Sequence, residues 1–266
     1  MSLLEIRSLS FAYGPKSVFT DVSFSLEPGQ VFCLAGPNGC GKTTLLHCVL
    51  SHLKPQSGSV LIDGKELSSY SDRALAKELA YVPQTHVTSF PYMVLDVVAM
   101  GRIRNHRWPV CDESDRSAAK DCLEKLGIGH LADSAYSALS GGELQTVLLA
   151  RAIVQDSSVL LLDEPYSHLD LKRSLELNLF LAALAKERNT AVLLTTHDLN
   201  RPLELSDAGA DVKMALMENG RLSPAASPGE VLTSGLIEQL YGVKSRLLTV
   251  PADRERHCLA VWKEET

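Results

Sequence analysis

The stretch GPNGCGKTT at residues 36–44 constrains the fold more than any other part of the sequence. Its glycines, lysine and first threonine match the phosphate-loop pattern G-x-x-x-x-G-K-[ST], at Gly36, Gly41, Lys42 and Thr43. The apolar run VFCLAG before it is typical of a strand buried on both faces, and TTLLHCVLSHL at 43–53 predicts a helix. The glycines let successive backbone N–H groups, together with the positive end of that helix, converge on a phosphate.

Strand and helix patterns alternate along most of the chain. LLEIRSLSFAY and DVSFSLE have the period of two that predicts antiparallel strands, and SVLIDGKEL and LAYVPQ predict further strands. The strand patterns at 158–165 and 190–197 are separated by the helical pattern KRSLELNLFLAALAKER, an order that requires a parallel sheet. The fold class expected is α/β, with a mixed or parallel sheet core, an antiparallel β subdomain and an inserted helical subdomain.

The helical patterns also suggest where the subdomains begin and end. VLDVVAMGRIR, DRSAAKDCLEKLG and GELQTVLLARAIVQ predict helices inside an insertion at 91–155. The core with its antiparallel β part is then expected at 1–90 and 156–235, within a domain covering 1–245. The segment 236–266 is expected to add a helix at LIEQLYG and a small hairpin around VPADRE.

Composition limits the classes of function. A net charge of -6 and a pI near 5.8 argue against a surface built as a whole to bind nucleic acid. The six cysteines include no C-x-x-C pair, which disfavours a zinc site or a disulfide framework. The first residues lack the pattern of a signal peptide, and no window has the apolar length that crosses a bilayer. We therefore expect a cytoplasmic chain whose role at a membrane, if it has one, depends on a partner.

A second group of chemically informative residues is the pair of acids in VLLLDEP. A carboxylate at the end of a central strand is costly to bury without a partner, so Asp163 is a candidate ligand of Mg²⁺. Glu164 is a candidate for polarising a water that attacks a phosphate. The alternative is a helix that begins at Pro165, with two acids favoured by the helix dipole.

Further candidate residues follow other predicted strands. His197 comes directly after AVLLTT, and Gln84 closes LAYVPQ, at the edge where α/β sheets place their ligands. A lone histidine is more often structural, but its position beside two phosphate motifs favours a functional role. Tyr13 offers a flat face for a ligand, although a tyrosine near a turn is usually part of the core.

The stretch LSGGE at 139–143 resembles a second phosphate-binding loop. Ser140 and Glu143 fit the S-x-x-E capping box ahead of a helix, so Gly141 and Gly142 would present bare N–H groups at its positive end. A well-capped helix without a ligand is the simpler interpretation, and the residues of this loop alone do not decide between the two.

Taken in order, the aromatic residue, GPNGCGKTT, the glutamine, LSGGE, VLLLDEP, SHLD and the histidine resemble the ATP-binding cassette (ABC) ATPase family, over roughly residues 1–245. The resemblance implies that Tyr13 stacks on adenine with Val18 beside it, and that Asp163 and Glu164 form the Walker B pair. It implies that Gln84 is the Q-loop residue and His197 the switch histidine. Thr43, Gln84 and Asp163 would hold Mg²⁺, and Glu164, His197 and Gln84 would act in catalysis. The Walker A loop that binds ATP is Gly36, Pro37, Asn38, Gly39, Cys40, Gly41, Lys42, Thr43 and Thr44.

The family resemblance also implies a partner for each site. It implies that LSGGE is the signature loop of the family. ATP would be sandwiched in a homodimer, between the Walker A loop of one chain and the signature loop of the other. The residues acting across the dimer would be Ser140, Gly141, Gly142, Glu143 and the D-loop residue Asp170. Three departures from the family pattern are present. Glu143 replaces the usual glutamine, Thr146 stands where an arginine is usual, and the segment RPLELSDAGADVKM fits the pattern only loosely.

Within the family, VLDVVAMGR, TTHDLN and GEVLTSGLIEQLYGV are similar to ATPase subunits of importers for iron-siderophores, haem, cobalamin and related metal chelates. Such a subunit would lie at the inner face of the cell membrane on permease subunits, indirectly served by a substrate-binding protein. The alternatives are a soluble ABC ATPase without a transport role, an importer of another substrate such as an oxyanion, and a nucleotide-dependent switch or kinase. A kinase would leave the LSGGE loop unexplained.

Overall fold

The computed structural model describes residues 2–84, 92–105, 111–251 and 255–263, with side chains omitted at 103–105. The chain divides into two compact units, Met1–Leu67 with Leu175–Thr266, and Ser68–Ser174. The limits 90 and 91 that we expected for the helical insertion lie outside the described residues.

The strands, in chain order, are β1 Leu4–Tyr13, β2 Lys16–Leu26, β3 Gln30–Ala35, β4 Ser57–Ile62, β5 Lys65–Glu66, β6 Leu79–Val82, β7 Val159–Leu162, β8 Ala191–Thr196, β9 Asp211–Glu218, β10 Arg221–Leu222, β11 Lys244–Val250 and β12 Arg256–Trp262. The α-helices are α1 Lys42–Val49, α2 Asp72–Glu78, α3 Val94–Ala99, α4 Glu113–Lys125, α5 Gly141–Ile153, α6 Leu171–Arg188, α7 Arg201–Asp207, α8 Pro228–Val231 and α9 Ser234–Tyr241.

The first unit contains the antiparallel part of the fold. Its strands run in the order β2-β1-β4-β5, and β1 pairs with β2 and β4 in antiparallel register. Alternate side chains of β2 are buried from Val22 to Leu26, as expected for strands with one face on a core. The antiparallel strands predicted from the period of two are confirmed.

The parallel strands of this unit place the phosphate-binding loop. β3 lies between β8 and β9 and pairs with both in parallel, and all of its residues are buried. Phe32 of β3 stacks on Phe24 of β2 with the ring centroids 4.4 Å apart. Because β3 and β8 are in register from Val31 to Ala35, their carboxyl ends lie side by side. The loop after β3 and the turn after β8 therefore share one edge of the sheet.

The second unit combines a parallel strand pair with the inserted helices. β6 and β7 pair in parallel from Leu79 to Val82. Helices α3, α4 and α5 pack on one another, and Arg102 forms a 3.0 Å ion pair with Asp115, whose side chain is only 1% exposed. Asp115 also completes the capping box of α4, because its side chain accepts a hydrogen bond from the Asp112 amide.

Two predicted helices end earlier than their sequence patterns suggest. The helix predicted over 43–53 stops at Val49, because Ser51 takes a left-handed φ of 60° and the amides of His52 and Leu53 turn back to the carbonyl of His47. The α-helix predicted over VLDVVAMGRIR stops at Ala99 and continues as a 3₁₀ helix to Asn105.

The alternative interpretation of VLLLDEP is wrong. No helix begins at Pro165, because residues 163–168 form a bend and a turn, and α6 begins only at Leu171. The predicted C-terminal hairpin is confirmed, because β11 and β12 pair in antiparallel register. Residues 252–254, between them in the sequence, lie outside the described residues.

The packing of Gly101 provides a test of the helical unit. A Cβ at this position would collide with the carbonyl oxygen of Arg151 and lie 2.8 Å from Cγ2 of Val154, both near the end of α5. We expect Gly101→Ala to push the 3₁₀ helix from α5 and to destabilise the protein by about 1–3 kcal/mol. The control is Gly235→Ala in α9, where nothing lies within 4 Å of the added Cβ. Urea unfolding should show a lower midpoint for Gly101→Ala alone, and equal midpoints would contradict the packing argument.

Candidate functional site

The glycines of the 36–44 loop are required by close contacts. A Cβ on Gly36 would collide with the carbonyl oxygen of Met217, and Gly36 has a φ of 156° that L residues rarely adopt. Gly41, at the N-cap of α1, has a φ of 111°, and a Cβ there would lie 2.8 Å from Cγ1 of Val18. Both positions therefore accept only glycine without rearrangement, and they allow the backbone to curl at the start of α1.

Lys42 is held inside the loop that it follows. Its side chain is buried, at 6% exposure, and Nζ donates hydrogen bonds to the carbonyl oxygens of Gly36 (2.8 Å) and Pro37 (3.1 Å). An ammonium group so placed puts a positive charge at the N-terminus of α1, where the helix dipole already favours an anion.

The rest of the loop is more accessible. Asn38, Gly39 and Thr43 are exposed, and Pro37, Cys40 and Thr44 are partly exposed. Tyr13, at the end of β1, is 53% exposed and meets the ring of Phe11 edge-on at 4.9 Å. Tyr13 therefore has a face available for stacking, while Val18 packs against Gly41 rather than standing apart from the loop.

The turn that carries His197 is joined to the same edge of the sheet. The amide of Gly36 donates to the carbonyl of Thr196, the last residue of β8, at 3.2 Å. His197 follows directly and is exposed. The turn is closed by Asp198, whose amide donates to Oγ1 of Thr196 and whose Oδ1 accepts from the amide of Asn200, both at 3.0 Å. The phosphate loop and the histidine turn are therefore neighbours within one unit.

The acidic pair lies at the end of β7 in the other unit. Asp163 is 1% exposed, and its amide donates to the carbonyl of Val82 at the end of β6 at 2.9 Å. Burial, helped by the charge of Asp163, raises the pKa of Tyr81 to about 12, so the phenol remains neutral. Gln84 follows β6 by two residues and is exposed. Asp163 and Gln84 therefore follow adjacent parallel strands, as the sequence predicted.

Glu164 has an unusual backbone conformation for a non-glycine residue. Its φ is 48°, in the left-handed region, and its side chain is buried at 6% exposure. Such a conformation costs roughly 1–3 kcal/mol and is concentrated at functional sites. The sequence pattern gave no sign of this strain, which directs the residue after the strand end into a tight turn.

The capping box predicted at LSGGE is confirmed. Oγ of Ser140 donates to Oε2 of Glu143 at 2.6 Å, and the Ser140 amide donates to the same oxygen at 2.9 Å. These hydrogen bonds from the Ser140 hydroxyl and amide lower the pKa of Glu143, so its carboxylate stays charged at neutral pH. Thr146, which replaces the usual arginine, donates its hydroxyl to the carbonyl of Gly142 at 2.9 Å.

The LSGGE loop also contacts the SHLD segment of its own chain, which the sequence did not reveal. A Cβ on Gly142 would lie 2.8 Å from the carbonyl oxygen of His168, and one on Gly141 would touch the side chain of His168 at 3.6 Å. Oδ1 of Asp170 accepts from the amide of Arg173 at 2.8 Å and caps the start of α6. Only the absence of a side chain at Gly142 lets the two loops come this close.

The residues present fit a nucleotide triphosphate with a divalent cation. The left-handed glycines, the N-terminus of α1 and the charge of Lys42 together form a phosphate cradle that a Cβ would fill. In the second unit, Asp163 carries a carboxylate and Gln84 an amide oxygen, and in the first unit Thr43 carries a hydroxyl; each group is an oxygen donor of the kind that Mg²⁺ prefers.

Comparison with known proteins identifies the family. The family model described as ABC transporter matches residues 19–167. The chain belongs to the ABC transporter ATPase family. It is 37% identical, over 93% of its length and 95% of the relative, to the hemin import ATP-binding protein HmuV of Bordetella pertussis. It is 31% identical, over 97% and 95%, to the iron(3+)-hydroxamate import ATP-binding protein FhuC of Bacillus subtilis.

Solved structures agree with this assignment. One solved structure is described as an inward-facing conformation of a putative metal-chelate type ABC transporter. It matches this chain with a TM-score of 0.84 and 28% sequence identity, over 99% of both chains. The chain is thus an ABC-type P-loop ATPase, and the fold class predicted from its sequence is confirmed. Among the described residues, none of the helices has the length and apolar character to cross a membrane.

Proposed function

We propose that this ABC ATPase powers the import of a metal chelate, such as haem or an iron-siderophore, through permease subunits. The observation that carries the proposal is the 37% identity to a hemin import ATP-binding protein, which extends over 93% of the chain. The similarity to an iron(3+)-hydroxamate import protein, over 97% of the chain, points to the same class of substrate. Permease subunits would hold the chain at the inner face of the cell membrane, and a substrate-binding protein would be an indirect partner.

In the first unit, the proposal assigns ATP binding to the loop at 36–44 and to Tyr13. The backbone N–H groups at the start of α1 and the Lys42 ammonium would hold the phosphates, because both place positive charge at one point. The exposed ring of Tyr13 would stack on adenine, and Val18, which packs on Gly41, would fix the loop from the side of β2.

Hydrolysis is assigned to Glu164, with Gln84 and His197 as supporting residues. The buried carboxylate of Glu164, directed by its strained turn, would orient the attacking water or accept its proton. Mg²⁺, held by Thr43, Gln84 and Asp163, would neutralise charge on the phosphates. His197 stands exposed at the end of β8, beside the strand that leads into the phosphate loop, and would contact the terminal phosphate.

A homodimer is proposed because the family resemblance places the LSGGE loop against the nucleotide of a partner chain, where the N-terminus of α5 would favour a phosphate. Ser140 caps α5, and the exposed Gly141 leaves a bare N–H group at its positive end. The close contact between Gly142 and His168 ties this loop to the D-loop, which ends at Asp170. Both loops would therefore reach the partner's nucleotide as one unit. We also propose, as the sequence predicts, that residues 91–155 form a helical subdomain and residues 236–266 a C-terminal helix and tail.

The role of Glu164 gives the first functional test. Glu164→Gln keeps size and hydrogen bonding but removes the charge, so ATP should still bind while turnover falls at least about a hundredfold. Turnover is measured by phosphate release, and binding by equilibrium titration of a fluorescent ATP analogue. Turnover near that of the unchanged protein would exclude Glu164 as the catalytic base.

The dimer gives a second test. Ser140→Arg should spare ATP binding but block the dimer interface by bulk, and Lys42→Ala should weaken ATP binding by removing a phosphate contact. In a mixed dimer one site carries both changes and the other carries neither, so ATPase activity should recover relative to each variant alone.

Differently tagged chains establish that mixed dimers have formed. Full activity of the Ser140→Arg homodimer would reject the shared site. An absence of recovery in confirmed mixed dimers would mean either that one intact site does not suffice or that the loop serves its own chain. Cross-linking of single-cysteine variants at Ser140 and Asn38 on separate chains distinguishes these two explanations.

The substrate is tested with permeases of the same transport system in proteoliposomes. We expect ATP inside the vesicles to drive uptake of a haem or an iron-siderophore when the matching binding protein is present outside. The Glu164→Gln subunit should abolish this uptake. Uptake of an oxyanion such as molybdate, without uptake of any metal chelate, would contradict the proposed substrate class while leaving the ATPase assignment in place.

A further inference from the structure

The C-terminal hairpin is bound to both ends of α7 through the backbone of β12. The amide of Leu259 donates to Oδ1 of Asn200 at 2.7 Å, and the amide of His257 donates to Oδ2 of Asp207 at 2.8 Å. Asn200 is the N-cap residue of α7, and Asp207 is its last residue. Alternate residues of an edge strand direct their N–H groups to the same side, so β12 presents both donors to α7.

The end at Asp207 is reinforced by the histidine side chain. Nδ1 of His257 lies 2.8 Å from Oδ1 of Asp207, whose side chain is only 8% exposed. The hairpin is further fixed by burial, because Leu259 on β12 is 6% exposed and Ser245 on the paired strand β11 is 5% exposed. The hairpin is therefore a docked element and offers Asn200 a fixed donor.

The other end of α7 leads directly to the histidine turn. The Asn200 amide donates to Oδ1 of Asp198, and the Asp198 amide donates to Oγ1 of Thr196, each at 3.0 Å. Arg201 adds ion pairs to Asp198 (3.2 Å) and to Glu204 (2.7 Å). A continuous series of hydrogen bonds thus runs from the end of β8, across the turn that carries His197, to the backbone of Leu259.

We propose that the C-terminal hairpin positions His197 for ATP hydrolysis, with Asn200 as the positioning residue that connects them. The proposal rests on the proposed role of His197 and gives the strands β11 and β12 a part in the reaction. His197 lies between Thr196 and Asp198, and both of these residues belong to this series of hydrogen bonds, so the turn sets where the His197 backbone lies. A displacement of about 1 Å at a catalytic group lowers rates by up to about a hundredfold, and a fixed turn avoids that loss.

The structure offers a substitution that isolates this contact. The Asn200 side chain makes no capping hydrogen bond to α7, and its φ and ψ of -79° and -23° suit alanine. Asn200→Ala should therefore remove the bond to Leu259 without uncapping the helix. Asn200→Asp keeps an oxygen acceptor at the same place. Ser206→Ala, at an exposed position of the same helix, is the matched control.

The experiment measures steady-state ATPase kinetics of the full chain with its permeases. For Asn200→Ala we expect kcat to fall about tenfold while KM for ATP and the affinity for nucleotide stay unchanged, and the unfolding temperature to fall by no more than about 2–4 °C, as the loss of one hydrogen bond predicts. Asn200→Asp should restore most of kcat, and Ser206→Ala should match the unchanged protein. Hydrogen exchange read by NMR or mass spectrometry should show faster exchange of the Leu259 amide in Asn200→Ala only.

Three outcomes would overturn the proposal. Faster exchange at Leu259 with an unchanged kcat would mean that the hairpin does not act on His197. A fall in kcat accompanied by weaker ATP binding and a larger fall in the unfolding temperature would mean a general structural role. His197→Ala separates this inference from the proposed function. If that variant hydrolyses ATP normally, the catalytic role of His197 fails and the positioning role with it. If it is inactive while Asn200→Ala is fully active, only the positioning role fails.

Discussion

The burial of β3 between two parallel strands is the constraint on which the phosphate-binding loop depends. Every residue of β3 is buried, so its backbone groups pair with β8 and β9 and the strand cannot shift without breaking both ladders. Its end is fixed by the Gly36 amide, which bonds to Thr196, and by the approach of Gly36 to the backbone of Met217. The same pairing places the histidine turn beside the loop, so one packing arrangement positions two groups of functional residues.

Local patterns predicted the parts of the fold whose causes lie in adjacent residues. The apolar run of β3, the alternation in β2 and the S-x-x-E box at Ser140 all reflect short-range rules, and the structure has each of them. The predictions that were wrong depend on backbone conformations or distant contacts. α1 ends at Val49 because Ser51 adopts a left-handed φ two residues later, and α3 gives way to a 3₁₀ helix where Gly101 packs on α5. Neither cause is visible in a periodic pattern.

The candidate site divides in the same way. The sequence identified the residues at strand ends, since motif and strand pattern coincide there. The structure places Asp163 and His197 directly after buried strands, and Lys42 at the start of α1, after the loop that follows β3. It did not predict the left-handed backbone of Glu164, or the contact between Gly142 and the carbonyl of His168. Both arise from how turns are packed within the folded unit, which spacing along a single chain does not encode. Both features fix the positions of functional side chains, which a flexible loop would leave variable.

Residues outside the family motifs also help to position the histidine turn, through hydrogen bonds between α7 and the C-terminal hairpin. Asn200 and Leu259 are 59 positions apart in sequence, yet a side-chain oxygen of one accepts from the backbone of the other. An edge strand with unpaired N–H groups invites pairing with another chain, and here Asn200 and Asp207 occupy two donors of β12. A hydrogen bond is directional where apolar packing is not, so this contact defines the orientation of α7 as well as its place. Because α7 begins four residues after His197, that orientation passes to the turn that carries the histidine.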